Sequence, residues 1–220
     1  DVLPYKTIHN MFKSTFAIAA SALMISCANA QDITLPAPSM TTEMTLGDAL
    51  SHRHSSREFA EAEISDSVLS QLLWAACGIN RPESKKITAP SAINAQDIVV
   101  YVVRKDGAYR YDPQQNILVN VSGKDLRKAV AGRQEAVAAA PLCLVLASDH
   151  KKFGDHKNGA ERMGCIDSGY VSENIALMCT ALGLNTVPRM SMDSEILRTE
   201  LKLDADTDLL LNHPVGYAPK

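Results

Sequence analysis

The chain has 220 residues, of which 46% are apolar and 21% are charged, and its net charge is −3 at pH 7. This length and composition predict one globular domain with its own core. A nucleic-acid binder normally carries an excess or a face of basic residues, and because neither is visible we exclude nucleic acid as a partner.

The N-terminal residues have the layout of a secretory signal peptide. Met11-Phe12-Lys13 gives a short basic start, residues 16–25 form an uninterrupted run of apolar and small residues, and Ala28-Asn29-Ala30 places small residues before a cleavage point. The run is too short to span a bilayer as a permanent helix. We therefore expect residues 1–30 to be removed on export to the periplasm, with no membrane span in the mature chain. Met24-Ile25-Ser26-Cys27 also resembles a lipobox, which leaves a lipoprotein anchored through Cys27 as an alternative.

Residues 31–43 hold prolines and small residues, which predicts a linker before a domain at residues 44–220. Two capped helices should follow. The first has Thr45 as its cap and Leu46, Ala49 and Leu50 on one face, and the second has Ser65 as its cap and Val68, Leu69, Leu72, Leu73 and Ala76 on its buried side. We expect Gly78 to end the second helix in a left-handed turn.

The rest of the chain contains a mixture of strand and helix patterns, which predicts an α+β fold with a sheet covered by helices. Residues 142–147 form a continuous apolar run, as expected of a central strand covered on both faces. Residues 160–183 predict the longest helix, which is apolar nearly all round and so buried in the core or under a partner subunit. The other predictions are a strand at 97–103, a hairpin turn at Asp106-Gly107 into 108–111, a helix at 193–201 and a last short strand within 209–217.

Four cysteines follow the signal peptide: Cys77, Cys143, Cys165 and Cys179. They form no Cys-x-x-Cys pair, and His and Asp are not spaced around them as ligands, so we predict no metal site. Because Cys143 lies in an apolar strand and Cys179 in an apolar helix, buried and unreactive thiols are the preferred interpretation.

The first candidate site is Arg53-His54-Ser55-Ser56-Arg57, at the C-terminal end of the first helix. Guanidinium groups pair with phosphate oxygens and hydroxyl groups complete the shell, so this cluster suits a phosphate. A solvated turn whose cations compensate the helix dipole is the alternative.

The second candidate is the loop Ala89-Pro90-Ser91-Ala92-Ile93-Asn94-Ala95-Gln96, just before a strand. Neutral polar groups on a stiff loop suit the edge of a heterocycle, which needs directional hydrogen bonds. A capped turn that feeds the strand is the alternative.

The third candidate is the turn from Gly183 to Asp193, which includes Pro188, Met190 and Ser191 and leads into the next helix. Unpaired backbone N–H groups at that helix start could face a ligand atom that gains electron density. His213-Pro214-Val215-Gly216-Tyr217 then closes the fold.

In this order the segments resemble the FMN-dependent nitroreductase family, from about Thr45 to Tyr217. The resemblance also includes Ser56-Arg57-Glu58-Phe59 and the stretch from Leu73 to Asn80, which is similar to the subgroup related to azoline oxidases. It implies a nitroreductase-like fold, with a central, mostly antiparallel or mixed sheet flanked by helices, and an interwoven homodimer with FMN at the interface.

The resemblance also implies which residues hold the flavin. Arg53, His54, Ser55 and Arg57 would hold the phosphate, the ribityl chain and the pyrimidine edge, Pro90, Ser91, Ala92 and Asn94 would approach from the other subunit, and Pro188 with the backbone of Met190 and Ser191 would lie near the flavin N5. Many members carry Glu-Gly at the place of Met190-Ser191 and a basic pair at the end of the chain. Here Arg189 is a candidate to compensate for that pair.

The resemblance implies two-step hydride transfer through FMN between an electron donor and a small organic substrate, such as a nitro compound or a quinone. No side chain need act as a nucleophile, so we predict no catalytic residue. Because nicotinamide cofactors are cytosolic, export implies a donor other than NAD(P)H. We expect residues 81–88 and 151–158 to shape the acceptor pocket.

Two alternatives come from other classes of protein. One is a flavin-binding protein without turnover. The other is a hydrolase that uses Ser91 with His54 or His150, although no Gly-x-Ser-x-Gly elbow is present.

Overall fold

The computed structural model describes residues 31–219. The predicted signal peptide, Cys27 and Lys220 lie outside these residues. Within them, no helix combines the length and the hydropathy needed to cross a bilayer.

The described chain, residues 31–219, contains five α-helices and nine strands. In chain order they are β1 (Ile33–Thr34), α1 (Leu46–His52), α2 (Asp66–Cys77), β2 (Ile79–Arg81), β3 (Lys86–Ile87), β4 (Ile98–Arg104), β5 (Gly107–Asp112), β6 (Ile117–Ser122), α3 (Arg127–Ala131), β7 (Leu142–Asp149), α4 (Ala160–Ala181), β8 (Leu184–Thr186), α5 (Ser194–Glu200) and β9 (Thr207–Tyr217).

Seven strands form one sheet in the order β1-β6-β5-β4-β7-β9-β8, and every pair is antiparallel. The α+β fold with a large antiparallel sheet is therefore confirmed. A hairpin at Asp106-Gly107 joins β4 to β5, with Arg104 opposite Gly107. The strands β2 and β3 form a separate two-stranded ribbon.

The central strand β7 is covered on both faces, as its apolar run predicts. Leu142, Leu144 and Leu146 pack on the same side as residues of α2 and α4. Cys143, Val145 and Ala147 pack on the other side, with residues of α3 and the α5 residue Leu197. Successive side chains of a strand point to opposite faces, so one apolar run supplies both layers of the core. Each fully buried Leu or Val stabilises the fold by about 1.5–3 kcal/mol.

The predicted caps of the helices are confirmed. The Thr45 hydroxyl accepts a hydrogen bond from the amide of Asp48, and the Ser65 hydroxyl accepts one from the amide of Val68. A further cap, not predicted from the sequence, is Asp193, whose side chain accepts from the amide of Ile196 at the start of α5. These bonds satisfy amides that the first turn of a helix leaves without partners.

α2 ends at Gly78 as predicted, but the predicted left-handed turn at this glycine is wrong. Gly78 has φ −70° and ψ 158°, an extended conformation that any residue adopts. Glycine is needed for space instead, because a Cβ at this position would lie 2.4 Å from Cδ1 and 2.6 Å from Cα of Trp74. The tryptophan folds over the end of its own helix and leaves no room for a side chain.

Two segments differ in extent from the sequence interpretation. The last strand was expected to be short, yet β9 has 11 residues and lies between β7 and β8. In residues 31–43, Ile33 and Thr34 pair with β6 and Leu35 is buried in the core.

Candidate functional site

The cationic cluster at residues 53–57 follows α1 in an extended segment. Arg53 caps α1 through its amide, which donates to the carbonyl of Ala49. The segment then runs along the sheet edge, because the Ser56 amide donates to the carbonyl of Thr186 at 2.9 Å. Asn185 strengthens the attachment by donating from Nδ2 to the carbonyl of Glu58 at 2.8 Å. The backbone is thus fixed while the side chains stay at the surface.

Most side chains of this cluster face outward. His54, Ser55 and Arg57 are exposed, and Arg53 is partly buried with its Nε 3.8 Å from Oε1 of Glu173. His54 uses Nδ1 on the carbonyl of His52. Within residues 31–219, the Arg57 guanidinium has no hydrogen-bond or ion-pair partner. The cluster therefore offers cationic and hydroxyl donors to a ligand, as an anion-binding site requires.

The loop at residues 89–96 is held in a strained conformation. Ile93, Asn94 and Gln96 have φ values of 51°, 59° and 50°, in the left-handed region that β-branched and bulky residues rarely enter. The Ser91 hydroxyl accepts a hydrogen bond from the amide of Gln96 at 2.9 Å. Lys152 donates from Nζ to the carbonyl of Gln96 at 2.8 Å. These two hydrogen bonds help to fix the loop.

A pair of buried aspartates under this loop was missed by sequence reasoning. Asp167 on α4 is 2% exposed and accepts a hydrogen bond from the Ala92 amide at 2.8 Å. Asp97 is wholly buried and accepts from the Ser148 hydroxyl at 2.6 Å. Burial, together with the nearby Asp97 carboxyl, raises the pKa of Asp167 to about 6. No feature of the sequence indicated the pair, since Asp167 shares α4 with the acidic residues Glu161 and Glu173.

In the turn at residues 188–191, Pro188, Met190 and Ser191 are exposed, and Met190 is 77% exposed. Across residues 31–219, the backbone amides of Met190 and Ser191 have no hydrogen-bond acceptor. The turn lies beside the cationic cluster, since β8 connects the two and the charge of Arg57 helps to lower the pKa of Arg189, after the effect of burial. Two of the three predicted segments are therefore brought together in one chain.

Arg189 does not lie open to a phosphate, contrary to the compensating role considered for it. It is 5% exposed. Its five N–H donors all have acceptors within the chain, namely Oε1 of Gln134, the carbonyls of Val130 and Ala131, Oδ1 of Asn212 and the hydroxyl of Ser191. It joins the end of α3 to β9 and stabilises the turn from inside.

The loop at residues 89–96 and the cationic cluster lie on different sides of α4. The loop is bound to Asp167, whereas the cluster meets Glu173, six residues further along the helix. At 1.5 Å and 100° per residue, these side chains are separated by about 9 Å along the axis and about 120° around it. No hydrogen bond joins the loop to the cluster in the described part of the chain.

The structure gives no support to a hydrolase. Ser91 is hydrogen-bonded to its own loop, His54 to the carbonyl of His52, and Nε2 of His150 lies 3.2 Å from Oδ2 of Asp208. No Ser91–histidine hydrogen bond is present in residues 31–219. The buried Ser172–His213 contact, at 2.8 Å, has no exposed nucleophile.

The expectation of buried thiols is correct for three cysteines and wrong for one. Cys77, Cys143 and Cys179 are buried, and burial raises the pKa of Cys77 and of Cys143 to about 12. Cys165 is exposed on α4. Its place on a helix that is half exposed at this end explains the difference. All four thiols are free.

A surface patch of large apolar side chains covers α1 and the neighbouring α4. Leu46 and Leu50, which lie on one face of α1, are 67% and 58% exposed, and Ile166 and Tyr170 on α4 are 50% and 48% exposed. A groove of about 380 Å³ lies between the helices, lined by Met44, Leu46, Trp74, Leu177 and Ala181 among others. Large exposed apolar side chains beside an apolar groove are typical of an interaction site.

Comparison with known proteins gives consistent matches. The family described as the nitroreductase family matches residues 50–217. A protein of Methanocaldococcus jannaschii, named as a candidate nitroreductase, is 30% identical over 187 residues, which are 79% of this chain and 91% of that protein.

Solved structures agree with this result. A candidate nitroreductase from Ralstonia eutropha JMP134 has a TM-score of 0.81 and 33% identity, and the match covers 99% of this chain and 100% of that one. A chain of the Escherichia coli microcin synthetase McbBCD complex has a TM-score of 0.67 at 17% identity, with 94% and 85% covered, and therefore shares the fold.

Proposed function

This chain belongs to the nitroreductase family, and we propose that it is an FMN-dependent oxidoreductase that works as a homodimer. The observation that carries the proposal is the difference between Arg57 and Arg189 in the availability of their guanidinium donors. Arg57 has no side-chain partner within residues 31–219, whereas every donor of Arg189 is used inside the chain. An exposed and unpaired guanidinium next to hydroxyl groups fits the phosphate of FMN.

The residues of the site fit the different parts of the cofactor. Arg53, Ser55 and Arg57 would bind the phosphate and the ribityl chain, and His54 would reach the polar edge of the ring. The free amides of Met190 and Ser191 are suited to a ring atom that gains electron density. Pro188 would border the same side.

FMN, when bound, supplies hydride transfer between a donor and a small organic acceptor, such as a nitro compound or a quinone. The chain itself binds and orients both partners, and we assign no catalytic side chain. We also propose that the chain belongs to the subgroup related to azoline oxidases, on the stretch from Leu73 to Asn80.

The arrangement around α4 supports a site built from two subunits. The loop with Pro90, Ser91, Ala92 and Asn94 lies on another side of α4 than the cationic cluster, so one chain does not enclose a flat ring between them. The apolar patch on α1 and α4 lies near the cluster, since α1 leads directly into it. A second copy that covers this patch would bring its own loop to the cluster.

The decisive experiment is the visible spectrum of the purified protein, followed by titration with FMN and by sedimentation analysis. We expect a yellow dimer that binds one FMN for each chain. A monomer that stays colourless in excess FMN would refute the proposal. A yellow protein whose reduced flavin is not reoxidised by nitro compounds, quinones or peptide azolines would instead be a flavin-binding protein without turnover, which the unusual Met190-Ser191 turn favours.

We also propose that the protein is exported and uses a donor other than NAD(P)H, because nicotinamide cofactors are confined to the cytosol. Stopped-flow mixing of the FMN-loaded protein with NADH and with NADPH tests the donor. We expect slow bleaching by both. Rapid bleaching by either would contradict the proposal on the donor without touching the assignment of FMN.

A further inference from the structure

Two buried carboxyl groups lie directly beneath the 89–96 loop. Asp97 ends the loop and begins β4, and its Oδ2 accepts a hydrogen bond from the Ser148 hydroxyl. Its Oδ1 is buried and has no hydrogen-bond partner within residues 31–219. The carboxyl of Asp167 on α4 lies within interaction range of the Asp97 carboxyl, which acts on Asp167 both by its charge and by hydrogen bonding. Two ionised carboxylates cannot hydrogen-bond each other, but one proton between them would satisfy the unpaired oxygen.

The packing of α4 holds the two carboxyl groups together. Gly164 lies one turn before Asp167, and a Cβ on this glycine would be 2.4 Å from the Ser148 hydroxyl and 3.4 Å from Oδ2 of Asp97. The helix therefore approaches the strand ends as closely as a backbone without a side chain allows. Separation of the carboxyl groups requires this contact to open.

The same pair holds the loop. Oδ2 of Asp167 accepts the amide of Ala92, the residue just before the left-handed Ile93 and Asn94. Strained backbone persists only where its surroundings fix it, and this hydrogen bond is the connection between the strained turn and α4. A movement of the Asp167 carboxyl would be passed directly to the loop.

We propose that Asp97 and Asp167 share one proton, and that this pair is the positioning element that sets the 89–96 loop for flavin binding. The positioning half of the proposal rests on the function proposed above, whereas the shared proton does not. Asp97 and Asp167 are positioning residues, since Asp167 acts on the ligand only through the backbone of Ala92.

The expected pH dependence follows from the charges around the pair. Burial first, and then Asp97, raise the pKa of Asp167 to about 6. Lys152 reaches the loop through the carbonyl of Gln96, and Asp149 is joined to the carbonyl of Asp97 through its amide. Below pH 6 the pair holds its proton and the loop is fixed. Above pH 6 two buried negative charges repel each other and the loop loosens.

The variant Asp167→Asn separates this role from simple packing. Its amide can accept from Ala92 through oxygen and donate to Asp97 through nitrogen, so it imitates the protonated state at every pH. Glu161→Gln is the matched control, since it removes one exposed carboxylate from the same helix.

The first measurement is urea unfolding of the flavin-free full chain at pH 5 and pH 8. We expect the stability of the wild type to fall from pH 5 to pH 8 relative to that of Asp167→Asn, because over this range the unfolded chain is already ionised and only the folded wild type gives up the proton. Glu161→Gln should follow the wild type. Equal pH dependence in the wild type and Asp167→Asn would overturn the shared proton.

The second measurement is the Kd for FMN at both pH values. We expect the wild type to lose roughly tenfold in affinity between pH 5 and pH 8, which is typical of coupled sites, and Asp167→Asn to lose little. Equal losses would overturn the positioning role. If the wild type binds no FMN at all, the proposed function fails, and hydrogen exchange of the Ala92 amide then tests whether the pair holds the loop. Exchange that is faster at pH 8 than at pH 5 in the wild type alone, after correction for the intrinsic rate, supports the pair. Equal pH dependence of the exchange in the wild type and Asp167→Asn overturns it.

Discussion

Arg57 and Arg189 lie near each other and have opposite uses because their surroundings differ. Arg189 is buried, and burial is the main cause that lowers its pKa, while five internal acceptors keep it in place. Arg57 is exposed and has no such partners in the described chain. A buried arginine that is fully hydrogen-bonded organises the protein around it, whereas an exposed one is available to a ligand.

The substitution Arg57→Ala should weaken FMN binding by about 10-fold to 100-fold, because a charge-assisted hydrogen bond contributes about 1.5–3 kcal/mol. Fluorescence titration measures the effect. Lys105→Ala, which removes a cation from the turn between β4 and β5, is the control. Equal Kd values for the two variants would show that Arg57 does not hold the phosphate.

The buried side chain of His213 should lower the free energy of unfolding in acid. Burial lowers the pKa of His213 from 6.5 to about 3, and its ring contacts the hydroxyls of Ser172 and Thr186. Above pH 6.5 the ring is neutral in both states and adds no pH dependence. Between pH 6.5 and 3 only the unfolded chain takes up this proton, so the free energy of unfolding falls by about 1.4 kcal/mol per pH unit from this group.

Urea unfolding of His213→Gln between pH 4 and pH 7 tests this assignment. We expect a shallower fall towards acid than in the wild type, with an unchanged slope in His156→Gln, whose ring is exposed. If both variants keep the wild-type slope, another group causes the acid sensitivity.

At the scale of elements, α4 is the helix on which the site depends. It packs against α1, α2 and the sheet, binds the 89–96 loop through Asp167, and meets the cationic cluster through Glu173. One side of the helix approaches the strand ends closely, while another carries exposed apolar residues. Gly164 lies on the side of α4 that approaches the strand ends, whereas a Cβ at Gly169 would meet no atom within 4 Å.

The glycines should respond in opposite directions to alanine. Gly164→Ala should lower the free energy of unfolding by about 1–3 kcal/mol, because its Cβ would lie 2.8 Å from Cβ of Ser148. Gly169→Ala should raise it by about 0.5–1 kcal/mol, since a Cβ there meets nothing within 4 Å and alanine favours the helix. Thermal or urea unfolding measures both. A stabilising Gly164→Ala would refute the close contact.

At the scale of the whole molecule, the two faces of the sheet are used differently. The face with α2 and α4 adjoins the apolar patch on α1 and α4, whereas α3 and α5 cover the other face. The proposed dimer places the second copy on the first of these faces.

The substitution Leu50→Asp should convert the dimer to a monomer and lower FMN affinity with it, because an unpaired charge in an apolar interface costs several kcal/mol. Sedimentation and FMN titration measure the two effects. Ile196→Asp, at an exposed position of α5 on the other face, is the control and should stay dimeric. A Leu50→Asp dimer would move the interface elsewhere.

The sequence alone determined the elements and the types of candidate residue. Thr45 and Ser65 cap the predicted helices, and the apolar run of β7 forms an interior strand of the sheet. These signals are local, since a cap bonds an amide a few residues away and an apolar run reflects the burial of its own strand.

The tertiary structure decided the features that depend on distant neighbours. It brought Asp97 and Asp167 together, buried Arg189 among five acceptors and left Leu46 and Leu50 exposed. A residue's type does not state which groups the fold will place against it. Burial, pKa and availability to a ligand are set by those contacts, and so they follow from packing between segments far apart in the chain.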